Sequence, residues 1–539
     1  MKKLLTLLLA LLMVVSLTAC SGGSDSSTSG GDTAPASDMK TTQSLNVRKA
    51  ISYAIDRATL ATSLNDGSIA ADGIIPHMLA SNPETGADFR EDAGVVVEYD
   101  AAKAQEFYAA ACEELGKDSI TLDLLYGTNE GDSVIKAAEL IQFYLEEAGF
   151  SVNLVSKQKK ERLSLMNTGD YEVALTRWGP DYGDPQTYMD LFVSTNTSNN
   201  SGRYNSPEFD ALVADAESGV AASQRWQDWI DAEQQLVVTD AAICPVFQAG
   251  GAMLIRPGVT GLQFHSASVD NFRHVSGKDT ITLLTNTDIL SLDSCIATDG
   301  TSFSAQIMFT DGLTELDADG NPVPSIAESW DISDDGLTVT FHLRNDAKWS
   351  DGTPVTAADF VYAWDRIQSE AIASEYAWWV SDVMLASSYE AVDDYTLTVT
   401  TAMPNADLLL KAVSFNSSLP INQAFCEAQG DQYATTAETV LSNGPFVLDS
   451  WTPGYSYEFV LNENYYDYDA YVAAGAPSKV VFRVLEDTQT ALMEYDAGNI
   501  DTVILSGEQV TANTSKEGFT QRLQGYLFYL SININHDKE

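Results

Sequence analysis

Near residue 279 the chain changes texture, and the change sets different limits on what each side can fold into. Before it, short apolar runs alternate with longer segments of helical spacing. Val47, Ile51, Ala54 and Ile55 mark one face of a helix. Asp100 opens a second helix that Gly116 closes, residues 120–126 read as a strand, and residues 133–148 read as a helix ended by Gly149. Residues 152–155 and 172–178 are two further strands, the second running into Gly179-Pro180-Asp181-Tyr182-Gly183-Asp184-Pro185. Ser206-Pro207 opens another helix, Trp226, Trp229 and Ile230 lie on the next, and residues 244–247 form a short apolar strand. This alternation predicts a largely parallel or mixed sheet with helices on its faces. From residue 279 onward, many short strands are separated by turns such as Asp319-Gly320, Asn443-Gly444 and Pro453-Gly454. About 500 residues also exceed what one core covers, so two or more lobes are expected.

Within the β-rich part, residues 341–366 read FHLRNDAKWSDGTPVTAADFVYAWDR. Leu337, Val339, Phe341 and Leu343 alternate with Thr338, Thr340, His342 and Arg344, the period of a strand buried on one face. Asp351-Gly352 makes a turn, and Thr356 with Asp359 three residues later is a carboxylate variant of the capping box. Phe360, Ala363 and Trp364 form the buried stripe of the helix that follows.

Lys2 and Lys3 precede an apolar run from residue 4 to residue 17, which ends in Leu17-Thr18-Ala19-Cys20. The run is short for a membrane span and has the layout of a secretory signal, so export is expected. The bland alternative for Cys20 is an incidental cysteine at an ordinary signal. Residues 21–38 are rich in Ser, Gly, Thr and Asp and read as a tether. With 77 acidic against 29 basic residues, nucleic acid is a poor partner. Cys112, Cys244, Cys295 and Cys426 show no metal or disulfide spacing and are expected to be free. Asp317-x-Asp319-x-Asn321 with Glu328 superficially fits a calcium loop, but Pro322 stands where that loop needs glycine, so a hairpin turn is expected. His77, His265, His274, His342 and His536 form no ligand cluster, and no cofactor or metal is expected.

Residues 341–366 closely resemble a segment of bacterial oligopeptide-binding proteins, the family 5 solute receptors of peptide ABC transporters. Residues 46–57, NVRKAISYAIDR, resemble a segment from that family's middle, and Trp178-Gly-Pro-Asp181-Tyr182 resembles its W-x-x-D-Y ligand loop. Gly261-Leu262-Gln263-Phe264-His265 resembles the family's closing segment, residues 280–293 its mature N-terminus, and residues 529–533 the strand before the VRKAISYAID helix. The resemblance covers nearly all of residues 45–539, with the order of the halves rotated. It implies a circularly permuted chain, or, as the duller alternative, two receptor halves joined by fusion.

The implied fold is α/β, a two-lobed periplasmic-binding type with an extra subdomain. Residues 1–19 would be a lipoprotein signal and 20–45 a tether, with Leu-Thr-Ala-Cys20 resembling a lipobox. Residues 46–248 would form one lobe, 249–277 a return into the other, and 278–310 with 422–528 that second lobe. Residues 311–421 would be the subdomain and 529–539 a hinge strand.

The implied ligand is an oligopeptide held by hinge closure, and the implied partners are an ABC permease with its ATPases, the receptor itself being a monomer. Asp181 matches the carboxylate that receives the peptide's α-ammonium, with Gly179 and Tyr182 in the same loop and Trp178 walling the pocket. From residue chemistry alone, Asp181 beside Gly and Pro reads as a turn residue. Leu175 stands where some relatives carry an arginine, which leaves Arg177 and Arg203 as candidates for the peptide carboxylate. Tyr376, Trp378, Asn443, Thr298 and Gly300 fall in segments that face the cleft in the family, although such aromatics are more often core. Alternatives are a family 5 receptor for a dipeptide, nickel chelate, haem or oligosaccharide, or, in another class, a secreted carboxylate hydrolase.

Overall fold

A seven-stranded sheet takes strands from both ends of the chain. Its order is Ile69–Ala70, Ile243–Ile255, Phe519–Ile532, Val173–Trp178, Thr121–Gly127 and Ser151–Lys157, with Thr502–Leu505 pairing on Ile243–Ile255. The computed structural model describes residues 39–534 apart from 83, 198, 219–221, 266–268 and 319. The expected signal, tether and Cys20 therefore lie outside the described residues. Thr121–Gly127 runs parallel to both of its neighbours, whereas Phe519–Ile532 is antiparallel to Val173–Trp178 and to Ile243–Ile255.

The helices form where local chemistry places them. The Asp100 carboxylate accepts from the backbone N–H of Ala102 and Lys103 at 3.1 and 3.0 Å, and the Ala101–Leu115 helix stops at Gly116 with φ 63°. The Asp132–Ala148 helix stops in the same way at Gly149. These helices and Leu45–Ala54 bury Val47, Ala104, Ile141 and Leu145 against Val173, Leu175 and Leu530 on one sheet face. The other face holds Tyr188, Phe209, Trp229 and Leu527.

The β-rich part makes two further four-stranded sheets. Phe446–Thr452, Ser456–Leu461, Lys479–Val484 and Thr280–Thr285 form one of them, with its last pair parallel. Ala386–Asp393, Thr396–Thr401, Thr338–Leu343 and Ala327–Ile332 form the other, antiparallel throughout. In Thr338–Leu343, Val339, Phe341 and Leu343 are buried, while the His342 imidazole lies 2.8 Å from Asp331 on the open side. The Asp359 carboxylate accepts from the Thr356 N–H at 2.8 Å, and Phe360 and Trp364 below it are fully buried.

Two long strands connect the lobes. Ile243–Ile255 pairs with Ile69–Ala70 near its start and with Thr502–Leu505 at its end. The Leu284 N–H donates to Thr502 Oγ1 at 2.9 Å, which brings in the second lobe's sheet. The register between the long strands breaks between Leu523 and Leu527, where Gln248 Nε2 donates to the Gln524 carbonyl at 2.9 Å. A Cβ on Gly250 would lie 2.0 Å from the Gly67 carbonyl carbon, so only glycine lets the chain pass there.

Two expected boundaries are corrected. The short strand at residues 244–247 extends to Ile255, and the strand expected to begin at residue 529 begins at Phe519. At the described ends of the body, Thr42 Oγ1 donates to the Asn533 carbonyl at 2.5 Å. Gly277 and Lys278 are exposed, with the Lys278 ammonium 2.8 Å from Asp501. Cys112, Cys244, Cys295 and Cys426 are free thiols.

Candidate functional site

Residues 179–185 leave the end of Val173–Trp178 and insert into the core of the β-rich part. Gly179 permits the departure, because a Cβ there would lie 2.2 Å from the Tyr526 ring. Tyr182 is buried in the same apolar cluster as Phe303, Trp379 and Phe415, and meets the Trp379 ring edge-on at 6.1 Å. Trp379 and Phe415 stack at 4.3 Å. Behind the loop, Asp184 takes two hydrogen bonds of 2.8 Å from Arg225. Burial pushes the Asp184 pKa upward, but the Arg225 guanidinium, the Gln186 N–H and the Lys411 ammonium together hold the carboxyl below its ordinary value. From the opposite side, Lys411 Nζ donates to the Gly183 carbonyl at 3.5 Å.

Asp181 lies at the centre of this crossing. Its carboxylate accepts one bond, from the Tyr376 hydroxyl at 3.4 Å, and its N–H donates to Thr187 Oγ1 at 3.3 Å. Burial pushes its pKa up to about 6, and the Tyr376 hydroxyl pulls it down only in part. No cation is among the groups that shift it. A half-buried carboxylate in that state favours a cation brought by a ligand.

The other expected residues divide. Tyr376 and Trp378 belong to the cluster, stacked on each other at 5.6 Å, with Trp378 still 39% exposed. Trp178 packs beside Tyr188, whose hydroxyl donates to the Trp178 carbonyl at 3.2 Å, and the indole Nε1 of Trp178 is buried without a partner. Arg177 lies over the Tyr526 ring at 4.4 Å and the Phe528 ring at 5.6 Å. Thr298 and Gly300 are exposed at the start of the Gly300–Phe309 helix, where Asp299 caps Ser302. That helix reaches the cluster through Phe303, 5.9 Å from Tyr376.

Two expected residues are not brought to the site. Asn443 is fully buried, its Oδ1 accepting from the Asp311 N–H at 2.8 Å and its Nδ2 donating to the Asp311 carbonyl at 3.2 Å, so its side chain is spent. Arg203 lies at the other end of the sheet, in a left-handed turn with φ 56°, its guanidinium donating to the Asn167 carbonyl at 2.8 Å. The adjoining Gly202 touches the Ile532 carbonyl, and Ile532 pairs with Val173, five residues from Trp178 along the strand. Tyr526, Phe303, Trp379, Phe415 and Lys411 were not anticipated. They come from distant segments, and only the aromatic density near residues 376–379 was visible in the sequence. Beside Phe415 opens a shallow recess, into whose lining Asn416 and His265 bring buried, unpartnered polar atoms. Asp317 accepts from the Asn321 N–H at 2.9 Å in a turn between Thr314–Leu316 and Pro322–Pro324.

Comparison with known proteins gives a consistent relationship. The model of the bacterial extracellular solute-binding proteins, family 5 Middle, matches residues 32–200 and 321–539. A dipeptide-binding protein of Lactococcus lactis subsp. cremoris is 33% identical over 267 residues, covering 46% of this chain and 47% of that protein. The periplasmic oligopeptide-binding protein OppA of Escherichia coli is 34% identical over 205 residues, covering 35% of this chain and 36% of that protein. The chain spans about half or less of the length of these relatives. Among solved structures, Listeria monocytogenes OppA bound to peptide aligns with a TM-score of 0.42 at 32% identity, covering 45% of this chain and 49% of that one.

Proposed function

The chain belongs to the bacterial extracellular solute-binding proteins of family 5, and on that premise we propose that it captures oligopeptides between its lobes and delivers them to an ABC transporter. The role is binding, not catalysis. The carrying observation is Asp181, a carboxylate raised to about 6 by burial, touched by Tyr376 and, among the described residues, paired with no cation. A peptide's α-ammonium supplies the missing charge, and closure places it among Trp178, Tyr376 and Trp378. The register break at residues 523–527 is where the lobes would bend. The relatives' names, dipeptide-binding and oligopeptide-binding, support a peptide ligand.

The test is Asp181→Ala titrated calorimetrically with a peptide and with its N-acetylated form. Loss of a buried charge partner costs about 2–5 kcal/mol, so the free peptide should bind roughly thirty-fold to several-thousand-fold more weakly. The acetylated peptide, lacking the cation, should bind wild type poorly and lose much less on mutation. Equal losses for both ligands would return Asp181 to the role of a turn residue.

The same reading includes a lipid anchor at Cys20, suggested by Leu-Thr-Ala-Cys at the end of an apolar signal. Cys20→Ala should leave the protein unprocessed or release it from the membrane fraction. Normal processing and retention would rule the anchor out. It also includes rotated halves: two separate family-matching segments, a last strand shared with the first lobe's sheet, and the Thr42–Asn533 contact all support that order.

A further inference from the structure

We propose that Lys411 is a positioning residue that holds the protein closed on its peptide, clasping the loop of residues 179–185 so that Asp181 stays facing Tyr376. This rests on the peptide reading above and goes beyond it by naming a residue that sets affinity without touching the ligand. The loop is shared between the two parts of the protein. On its own side, Asp184 accepts two hydrogen bonds of 2.8 Å from Arg225 and a third from the Gln186 N–H at 3.0 Å. On the other side, Tyr182 is sunk into the β-rich core beside Trp379, and Lys411 Nζ donates to the Gly183 carbonyl. Lys411 stands on the Ala406–Ala412 helix, which Leu408, Leu409 and Leu410 anchor in that same core. The ammonium is therefore presented by a fixed element.

A plainer reading of Lys411 exists. It lies in the last turn of its helix, where a cation complements the carbonyl ends, and it pairs with Asp407 one turn back at 2.9 Å. Asp407 is 64% exposed, and such a pair contributes little in water. The Lys411 side chain is only 16% exposed, and a lysine surrenders its hydration to that extent where protein partners replace the water. The junction supplies them. Lys411 is close enough to Asp184 to act on it electrostatically, and Asp407 acts likewise on Arg225. Two ion pairs thus face each other in opposite order, positive to negative at both places. Opening draws each charge away from its counterpart and returns the Gly183 carbonyl to water, and closure restores both. Because the clasped group is a main-chain carbonyl of the protein, the gain is the same for every peptide that the closed form holds.

The probes are tetraalanine and trileucine, bound to wild type, Lys411→Met and Lys411→Arg. Methionine keeps the buried stem and removes the ammonium. Lys411→Met should release both peptides about tenfold faster, by the same factor for each and with association little changed. Small-angle scattering of this variant without peptide should give a larger radius of gyration than wild type, and saturating peptide should restore it. Lys411→Arg should recover most of the wild-type retention, and Lys411→Gln serves if the methionine variant does not fold. A Lys411→Met protein that melts lower, yet releases both peptides at the wild-type rate and scatters like wild type, would leave Lys411 as a helix-end cation and overturn the proposal. Faster release of one peptide alone overturns it too, since that marks a ligand contact. If wild type binds neither peptide nor any member of a mixed peptide pool, the peptide reading falls, and the scattering comparison decides on Lys411 by itself.

Discussion

Burial of the Asp181 carboxyl comes at a cost to the stability of the protein. Its pKa is about 6 against an ordinary 3.8, so the folded state keeps the proton where the unfolded chain has lost it. For an acid shifted upward, stability is greatest below the unfolded value and falls as pH rises from 3.8 toward 6. The penalty is complete above that window, on the order of 3 kcal/mol. Asp181→Asn removes it, so the ligand-free variant should melt higher than wild type at pH 7 and match it near pH 4. Equal melting at pH 7 would mean that the carboxylate is already compensated. Family spacing singles out Asp181 in the sequence, but not its contact with Tyr376. Arg203 and Asn443 lie away from Asp181 for a common reason: proximity in sequence or in a matched segment does not say where a side chain is spent. Arg203 turns away at a positive φ, and Asn443 satisfies a buried backbone pair at Asp311.

At the scale of elements, helices with local stop signals were read almost to the residue. Asp100 and Gly116 bracket Ala101–Leu115, and Gly149 ends Asp132–Ala148, because caps and left-handed glycines act within one turn. The same holds for the alternation in Thr338–Leu343 and the cap at Thr356. The long crossing strands were misread. Their sequence pattern gives only the short apolar stretches at residues 244–247 and 529–533. In the folded protein the first stretch continues, because Ala252–Ile255 finds Thr502–Leu505. The glycines are kept where backbones meet, Gly250 against Gly67. Strand length here depends on partners far along the chain, which periodicity does not report.

For the whole molecule, the proposed rotation of the halves makes a direct prediction. A chain running from residue 278 to residue 534, then through a short linker into residues 40–277, opens the present connection after Gly277 and joins ends already in contact at Thr42 and Asn533. Since native contacts survive and only loop connectivity changes, it should fold, melt within a few degrees of the parent, and bind tetraalanine with the parent's affinity. A rearranged chain that aggregates or binds no peptide would count against permutation. By itself the sequence determined the α/β character of one part and the strand-rich character of the other, the capped helices and the family, because these follow from neighbours a few residues apart and from motif text. Only the tertiary structure decided that residues 519–532 lie between strands of the first lobe, and that Tyr376 reaches Asp181 across 195 residues. Those meetings are set by sheet pairing and side-chain packing over large loops, whose closure no local pattern encodes.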